Sequence, residues 1–233
     1  MGTILASAII DKAELILLDT TNVRWTVAEL LGWLNDGQRE VTLLKPDTNV
    51  TTDEYQLVAG TKQSIPDGTS SYQNSASATL DAGIVLIGVK RNMGTNGTTP
   101  GRAITIIDMR IMDTVNPDWH SDTGAAAVKH YMFDIRNPKV FYVTPPQPAS
   151  AFGYVEVAYS SIPADLAAAS SAITLDDIYS NVLLDYVLYR AYQKDADYAK
   201  DNARVQGYYS SFMGALGFVD KKELAEAPRA ERV

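Results

Sequence analysis

The stretch from Arg24 to Asp47 constrains this chain more than any other, because it carries the start, one face and the end of an amphipathic helix. Thr26 and Glu29 have the spacing of a capping box, whose side chains satisfy backbone N–H groups at a helix start. Pro46 ends the helix, because proline disfavours helical geometry in the residue before it. A polar run, 35–40, suits a helix that packs against a neighbour on one side and presents hydrogen-bonding groups on another. The apolar face is formed at helical spacing by Val27, Leu30, Leu31, Leu34, Val41 and Leu44.

Further helices are predicted at both ends of the chain. The first covers about 4–18 and is joined to the amphipathic helix by a turn over Asp19–Asn22, which gives an αα-hairpin. Thr174 and Asp177 form a second capping box, which opens a helix to about 200. That helix is apolar around much of its circumference and therefore needs neighbours on several sides. A last helix covers about 201–217.

The middle of the chain has the character of a β-rich region. Short β-branched or aromatic runs alternate there with turn residues. The predicted strands are Glu54–Val58, Ile84–Lys90, Lys129–Asp134, Val140–Thr144 and Tyr154–Tyr159. Residues 69–79 are rich in Ser, Ala, Thr and Asn and predict a flexible insertion. Residues 92–101 form a glycine-rich loop, and residues 102–113 hold a short helix.

This order of elements predicts an α+β fold. Residues 1–50 and 165–219 form a helical bundle from the two ends of the chain. Residues 51–164 form an antiparallel β-rich domain inserted into it. Residues 220–233 are polar and contain Pro228, which predicts a flexible C-terminal tail.

Composition narrows the classes of function. The 233 residues carry a net charge of −8, which argues against wrapping a nucleic acid backbone. The chain has no cysteine, which rules out disulfides and thiolate metal sites. No uninterrupted apolar run approaches the ~20 residues of a membrane span, so we expect no membrane partner.

Motifs for catalysis are weak. Asp118, His120 and Asp122 could in principle bind a metal ion, but their spacing matches no recognised ligand pattern, so we predict no metal site. His130 lies in a predicted strand and is expected to be structural. The glycine-rich loop lacks the lysine of a phosphate-binding loop. No carboxylate pair stands out as general acid and base. We therefore predict a protein that is not an enzyme and has no cofactor.

Tyrosines are concentrated near the C-terminus. Such side chains suit either protein–protein contacts or core packing with hydroxyls at the surface, and the sequence leaves both open. Arg190 is a candidate ion-pair partner for Asp185 or Glu29, and Arg102 is a candidate anchor of the glycine-rich loop. The seven tyrosines between 179 and 209 are Tyr179, Tyr186, Tyr189, Tyr192, Tyr198, Tyr208 and Tyr209.

The order of motifs along nearly the whole chain resembles the head-to-tail adaptor (connector) proteins of tailed bacteriophages. The insertion at 69–79 does not belong to that pattern. The segments that carry the resemblance are Arg24–Thr26, Glu29–Leu31, Trp33–Glu40, Arg91–Gly94, Pro100–Ile104, Pro117, Trp119-His120, His130-Tyr131, Phe133-Asp134, Phe141–Val143, Pro145-Pro146, Asp177–Tyr179 and Asp185–Asp195.

The resemblance implies a structural virion protein at the head–tail junction, made in the host bacterial cytoplasm. Such adaptors form a homo-oligomeric ring, typically of twelve copies, beneath the portal protein. The ring extends the DNA channel without sequence-specific DNA binding, serves genome ejection, and provides the platform for a downstream tail or nozzle protein. A C-terminal segment commonly grips the portal. The candidate residues of the subunit or portal interface are Asp36, Arg39, Tyr186, Tyr189, Arg190, Tyr192, Tyr208, Tyr209, Leu224 and Arg229.

Two alternatives remain open. One is another phage neck, collar or tail-tube component, which would differ in whether it binds the portal or a tail protein. The other is a hydrolase that acts on the host cell envelope, which would need an acid/base or metal site that the sequence does not display.

Overall fold

The computed structural model describes residues 2–69, 73–199 and 202–226, and it confirms the predicted α+β fold class. Residues up to 48 and from 163 onward form one compact unit, and residues 49–162 form a second. In chain order the elements are α1 (Ala6–Leu17), α2 (Val27–Leu44), β1 (Val50–Gln56), β2 (Gly60–Ser64), β3 (Gly83–Asn92), β4 (Thr105–Ile106), α3 (Met109–Val115), β5 (His130–Phe133), β6 (Val140–Gln147), β7 (Tyr154–Ser161), α4 (Ser180–Ala199) and α5 (Asn202–Glu226).

The first unit, which we call the helical unit, is organised around α4. This helix packs against α1, α2 and α5, so its broad apolar surface is covered within the chain. Its core includes fully buried side chains from all four helices, because each helix turns an apolar stripe toward the centre. These side chains are Ile9, Ala13, Leu30, Leu34, Val41, Leu183, Val187, Leu188, Ala191 and Phe212.

The predicted capping of α2 is confirmed in part. Thr26 is the N-cap residue, and its hydroxyl accepts a hydrogen bond from the backbone N–H of Glu29 at 3.3 Å. The carboxylate of Glu29 binds the ammonium group of Lys194 at 2.8 Å instead of completing the box. The helix ends at Leu44, before Pro46, as the sequence predicted.

The α1–α2 turn is closed by one carboxylate. Asp19 accepts hydrogen bonds from the backbone N–H groups of Val23, Arg24 and Trp25 at 2.8 to 3.1 Å. These hydrogen bonds, above all the one from Trp25, hold the pKa of the Asp19 carboxyl below its ordinary value. The turn predicted at 19–22 therefore has a defined cause.

Two sheets build the second unit, which we call the β unit. One is antiparallel with the order β1-β7-β3, and the other has the order β2-β6-β5-β4. The β4–β5 pair is parallel, which corrects the expectation of a purely antiparallel region. The largest fully buried side chains on these strands are Tyr55, Phe141 and Tyr159. All five predicted strands are present, whereas β2 and β4 were not predicted.

The short helix expected within 102–113 forms later, as α3. Asp108 caps it by accepting a hydrogen bond from the backbone N–H of Arg110 at 2.8 Å. At the C-terminus, α5 continues to Glu226, so residues 220–226 are helical where the sequence predicted the start of a flexible tail. Residues 227–233 lie outside the described residues.

Candidate interaction surfaces and the clamps that shape them

The polar run of α2 binds the chain that returns from the β unit. Asn35 donates to the backbone carbonyl of Leu166 at 3.3 Å and accepts from its N–H at 2.9 Å. Gln38, which is fully buried, accepts from the N–H of Thr174 at 2.7 Å. An amide side chain offers a donor and an acceptor, so it can replace a neighbouring backbone strand. The hydrogen-bonding groups that the sequence placed on this run thus bind a segment of the same chain.

We call this contact between α2 and the returning chain a clamp, and Asp36 and Arg39 extend it at the surface. The Arg39 guanidinium forms ion pairs with Asp165 and, at 3.3 Å, with Asp36. Both Arg39 and Asp36 remain about half exposed, with 46% of each side chain accessible. Exposed ion pairs contribute little to stability, roughly 0–1 kcal/mol. Their predicted role at an interface remains a prediction.

The predicted capping box at Thr174 is wrong. The backbone from 177 to 179 forms a 3-10 turn, and α4 begins only at Ser180. The hydroxyl of Thr174 donates to the carbonyl of Ala164 at 3.2 Å instead. A pattern of four residues cannot distinguish a helix start from a turn that precedes it.

Asp177 holds the N-terminal segment. Its carboxylate accepts from the hydroxyl and the N–H of Thr3, both at 2.6 Å, and from the N–H of Ile4 at 2.9 Å. These bonds, with the Thr3 hydroxyl first, keep the pKa of the Asp177 carboxyl below its ordinary value. The segment also pairs with the returning chain, since Ile173 donates to the carbonyl of Ile4 at 2.9 Å. This strand-like pairing explains why α1 begins at Ala6 and not at residue 4.

Most of the clustered tyrosines pack between α4 and α5. Tyr186 is 7% exposed and contacts Phe212, with 5.2 Å between ring centroids. Tyr189 contacts both Tyr186 and Tyr209, and Tyr209 is the most exposed of these rings at 41%. Tyr179 is buried in the 3-10 turn directly before α4. Of the two roles that the sequence left open for these tyrosines, core packing therefore accounts for the buried rings.

The outer end of this interface is a shallow groove. Tyr192 and Tyr208 stack with nearly parallel rings whose centroids are 5.5 Å apart. The Arg204 guanidinium lies 5.6 Å from the centroid of Tyr192, close enough for a cation–π interaction. Gly207 and Ser211 complete the lining. We call these five residues the α4–α5 groove.

Arg190 has a different setting from the one predicted. Glu29 pairs with Lys194, and none of the ion pairs among the described residues joins Arg190 to Asp185. Burial raises the pKa of the Asp185 carboxyl. Burial also raises the pKa of Tyr186, and the positive charge of Arg190 opposes that shift.

Two predicted interface residues lie toward the C-terminus. Leu224 belongs to α5, and Arg229 lies outside the described residues. Tyr198, the remaining tyrosine of the cluster, lies in α4.

In the β unit, Asn92 anchors the glycine-rich loop. This buried amide donates to the carbonyls of Arg102 and Val128 at 3.0 and 2.8 Å and accepts from the N–H of Val128 at 2.7 Å. Gly101 also donates to the backbone carbonyl of Asn92 at 2.7 Å. The anchor is thus an amide that binds the Arg102 carbonyl, where the sequence suggested the Arg102 side chain.

The histidines serve packing and hydrogen bonding. His120 stacks on the fully buried Trp119, and its Nδ1 lies 2.8 Å from the hydroxyl of Thr61. Asp122 accepts from the side-chain amide of Asn116 at 2.8 Å. His130 lies in β5, as predicted, with Nδ1 2.7 Å from the Thr105 hydroxyl. Within the described ranges, no three His, Asp or Glu side chains are grouped to hold a metal ion.

The insertion at 69–79 is partly ordered. Residues 70–72 lie outside the described residues, but 73–79 form a tight turn organised by Asn74. Its side-chain oxygen accepts from the N–H groups of Ala76 and Ala78, both at 3.0 Å. The Ser75 hydroxyl donates to Glu54 on β1 at 2.6 Å. Residues 73–79 therefore form a defined turn, and the flexibility predicted from composition stays a prediction.

Sequence reasoning missed the residues that hold the loops, chiefly Asn92, Gln147 and Asp177. Gln147 donates to the carbonyl of Ala125 at 3.1 Å and accepts from Gly153 at 2.9 Å. A polar residue in or beside an apolar run was the available signal, because a buried amide must find partners.

Comparison with known proteins gives a family. The family model described as SU10 adaptor protein matches residues 5–232, which covers nearly the whole chain. No curated protein matches this sequence. In the described part of the chain, every helix is too short or too polar to cross a lipid bilayer.

Proposed function

The chain belongs to the SU10 adaptor protein family of phage head-to-tail adaptors, and we propose that it forms a ring beneath the portal. The family makes it a structural protein of the virion head–tail junction that associates with portal and tail. The ring of about twelve copies, the extended DNA channel, the role in genome ejection and the platform for a tail or nozzle protein belong to the proposal.

The observation that carries this proposal is the extent of the match. It includes both the helical unit and the β unit, from residue 5 to residue 232. A match confined to one unit would support only a shared domain. No three potential metal ligands are grouped among the described residues, so the structure provides no argument for metal-dependent catalysis.

The broad apolar surface of α4 does not itself support a ring. The apolar circumference of α4 suggested that several neighbours were needed, and α1, α2 and α5 provide them within one chain. Support for copy-to-copy contacts must therefore come from surfaces that remain exposed. The net charge of −8 is compatible with a channel wall that does not retain DNA.

The proposal assigns portal binding to the C-terminal segment. Since α5 continues to Glu226, the segment to remove is 227–233, which leaves the described helix complete. This deletion should preserve the fold and abolish binding to the portal. Unchanged binding would reject the role of the segment while leaving the ring proposal intact.

The direct test is the mass of the purified protein in solution, alone and after mixing with the portal from the same genome. A ring-sized complex that appears only with the portal supports an adaptor templated by its partner. No association with the portal rejects the proposal, and binding to a tail protein instead would assign the chain to another neck, collar or tail-tube position.

A further inference from the structure

The α4–α5 groove contains a glycine that the chain itself does not require. Gly207 lies inside α5, where glycine costs about 1 kcal/mol relative to alanine. A Cβ placed there would meet no heavy atom within 4 Å. Gly37 is the contrast, because a Cβ there would lie 2.9 Å from the Tyr186 ring. The open turn at Gly207 leaves room in the groove for an atom from outside.

Helix α1 presents the opposite anomaly. Leu15 and Leu18 are 64% and 89% exposed, although leucine is among the residues most often buried. Leu18 also has a left-handed backbone conformation, with φ of 57°, a position where glycine or asparagine is favoured. Exposure and backbone strain both disfavour this leucine in the isolated chain.

Asp11 lies on the same exposed face of α1. Asp11 and Leu15 have i, i+4 spacing and share one face of α1, and Leu18 follows directly after the end of the helix. We call Asp11, Leu15 and Leu18 the α1 stripe. It lies opposite the buried face that contains Ile9, Ile10 and Ala13.

The stripe and the groove are complementary in charge and shape. Arg204 is the one charged residue between 202 and 217 of an otherwise acidic protein. Its guanidinium stacks on Tyr192 and has five N–H donors, so it can bind a carboxylate in addition to the contacts that it makes within its own chain. The faces of Tyr192 and Tyr208, with the open position at Gly207, suit the apolar side chains of a helix that docks in a groove.

We propose that the α1 stripe of one copy docks in the α4–α5 groove of a second copy of this chain. The contact joins two different surfaces, so it is heterologous and can repeat until a ring closes. Asp11 pairs with Arg204, and Leu15 packs over Gly207 and Tyr208. This inference rests on the proposed ring and names the surfaces that form it.

The test uses the absence of cysteine from the chain. Leu15→Cys and Gly207→Cys are introduced together, rings are assembled on the portal, and disulfides are formed by mild oxidation. We expect a ladder of covalent multimers up to the full ring on a non-reducing gel. Ile16→Cys with Gly207→Cys is the matched control, because Ile16 is exposed on α1 but lies about 100° around the helix from Leu15.

The outcomes separate this inference from the ring proposal. Wild-type protein that forms no ring with the portal overturns both. A ring that forms normally but yields no ladder with the Leu15–Gly207 pair overturns the inference alone. Covalent dimers from Gly207→Cys by itself would show a symmetric α5–α5 contact and would also overturn it.

Charge reversal gives a second, independent measurement. Arg204→Glu and Asp11→Arg should each lower the fraction of portals that carry a ring about tenfold, since each places like charges together. The double variant should recover ring formation, which loss of folding could not produce. A double variant as defective as the single ones would reject the Asp11–Arg204 pair.

Discussion

Amide side chains close both units, but they bridge very different lengths of chain. In the β unit, Asn92 binds backbone 10 and 36 residues away. In the helical unit, Asn35 and Gln38 bind backbone 131 and 136 residues away. The β unit is continuous in sequence, so its amides shape loops. The helical unit is assembled from the two ends of the chain, so its amides also hold those ends together.

This difference predicts that the loss of one amide contact has different consequences in the two units. A broken loop clamp should leave strand pairing in place around it, whereas a broken clamp in the helical unit should release the returning chain from α2. Tryptophans report on each unit separately, with Trp25 and Trp33 in the helical unit and Trp119 in the β unit.

The largest expected effect is that of Asn92→Leu. It leaves the N–H and the carbonyl of Val128 without the partner that the amide provides, and each buried unpaired group costs about 1–3 kcal/mol. We expect the free energy of unfolding to fall by about 4 kcal/mol, measured by urea titration with fluorescence of a variant that retains only Trp119. A fall below about 1 kcal/mol would show that the loop finds other partners.

Gly37→Val should rank second. The added side chain meets the Tyr186 ring, where even a Cβ would lie at 2.9 Å, and overpacking costs typically about 1–3 kcal/mol. Gly32→Ala is the matched control on the same helix, because nothing lies within 4 Å of its Cβ position. The control should gain up to about 1 kcal/mol from helix propensity. Equal effects of the two changes in chemical denaturation would contradict the close approach of α2 and α4.

Gln38→Leu tests the long-range clamp. It removes the acceptor for the half-buried N–H of Thr174 and should cost about 1 kcal/mol. Hydrogen exchange at Thr174 should accelerate more than exchange in the β unit, because the returning chain is released first. Gln206→Leu, at an exposed position of α5, is the control and should change neither quantity measurably. Unchanged exchange at Thr174 in Gln38→Leu would remove the distinction between the two kinds of clamp.

The smallest effect is the contribution of Asp177 to acid stability. Its pKa is lower in the folded chain than the unfolded value of about 3.9. Its stabilisation is therefore present above about pH 4 and is lost as the pH falls through the folded pKa. Asp177→Asn should flatten that part of the stability curve for the helical unit.

Asp67→Asn provides the comparison in the β unit. The Thr69 hydroxyl and N–H lower the pKa of Asp67 in the same direction, but this bond closes only a local turn. Acid titration of the two variants, followed through the separate tryptophans, should show each change in its own unit. If Asp177→Asn changed the acid stability of the β unit, or Asp67→Asn that of the helical unit, each carboxylate's assignment to its own unit would be contradicted.

Local patterns predicted much of the fold. The α2 helix, the Asp19 turn and the five strongest strands depend on spacing and residue type over a few positions. Strand β2 was missed because its residues, Gly60–Ser64, are mostly polar and its pairing with β6 supplies the order. Strand β4 is two residues long, which is too short to show an alternating pattern.

The candidate surfaces were predicted less well than the fold. The sequence pointed to the tyrosine cluster but could not separate the buried Tyr186 from the exposed Tyr209, because the residue type is the same at both positions. It offered Asp185 or Glu29 as the ion-pair partner of Arg190, whereas the position of α4 against α2 places Lys194 beside Glu29. Pairing between helices depends on rotation and offset, which spacing within one helix does not specify.

By itself the sequence determined the periods of most helices and strands, the Thr26 cap, the Asp19 turn, the acidic balance and the absence of thiol chemistry, since each follows from nearby residues or from composition. The tertiary structure alone decided that Asn35 and Gln38 hold the returning chain, that Asp177 holds the N-terminal segment, and that the α4–α5 groove stays open at Gly207. These features join residues more than a hundred positions apart or depend on empty space. Only packing sets such distances, because no local preference of the backbone extends that far.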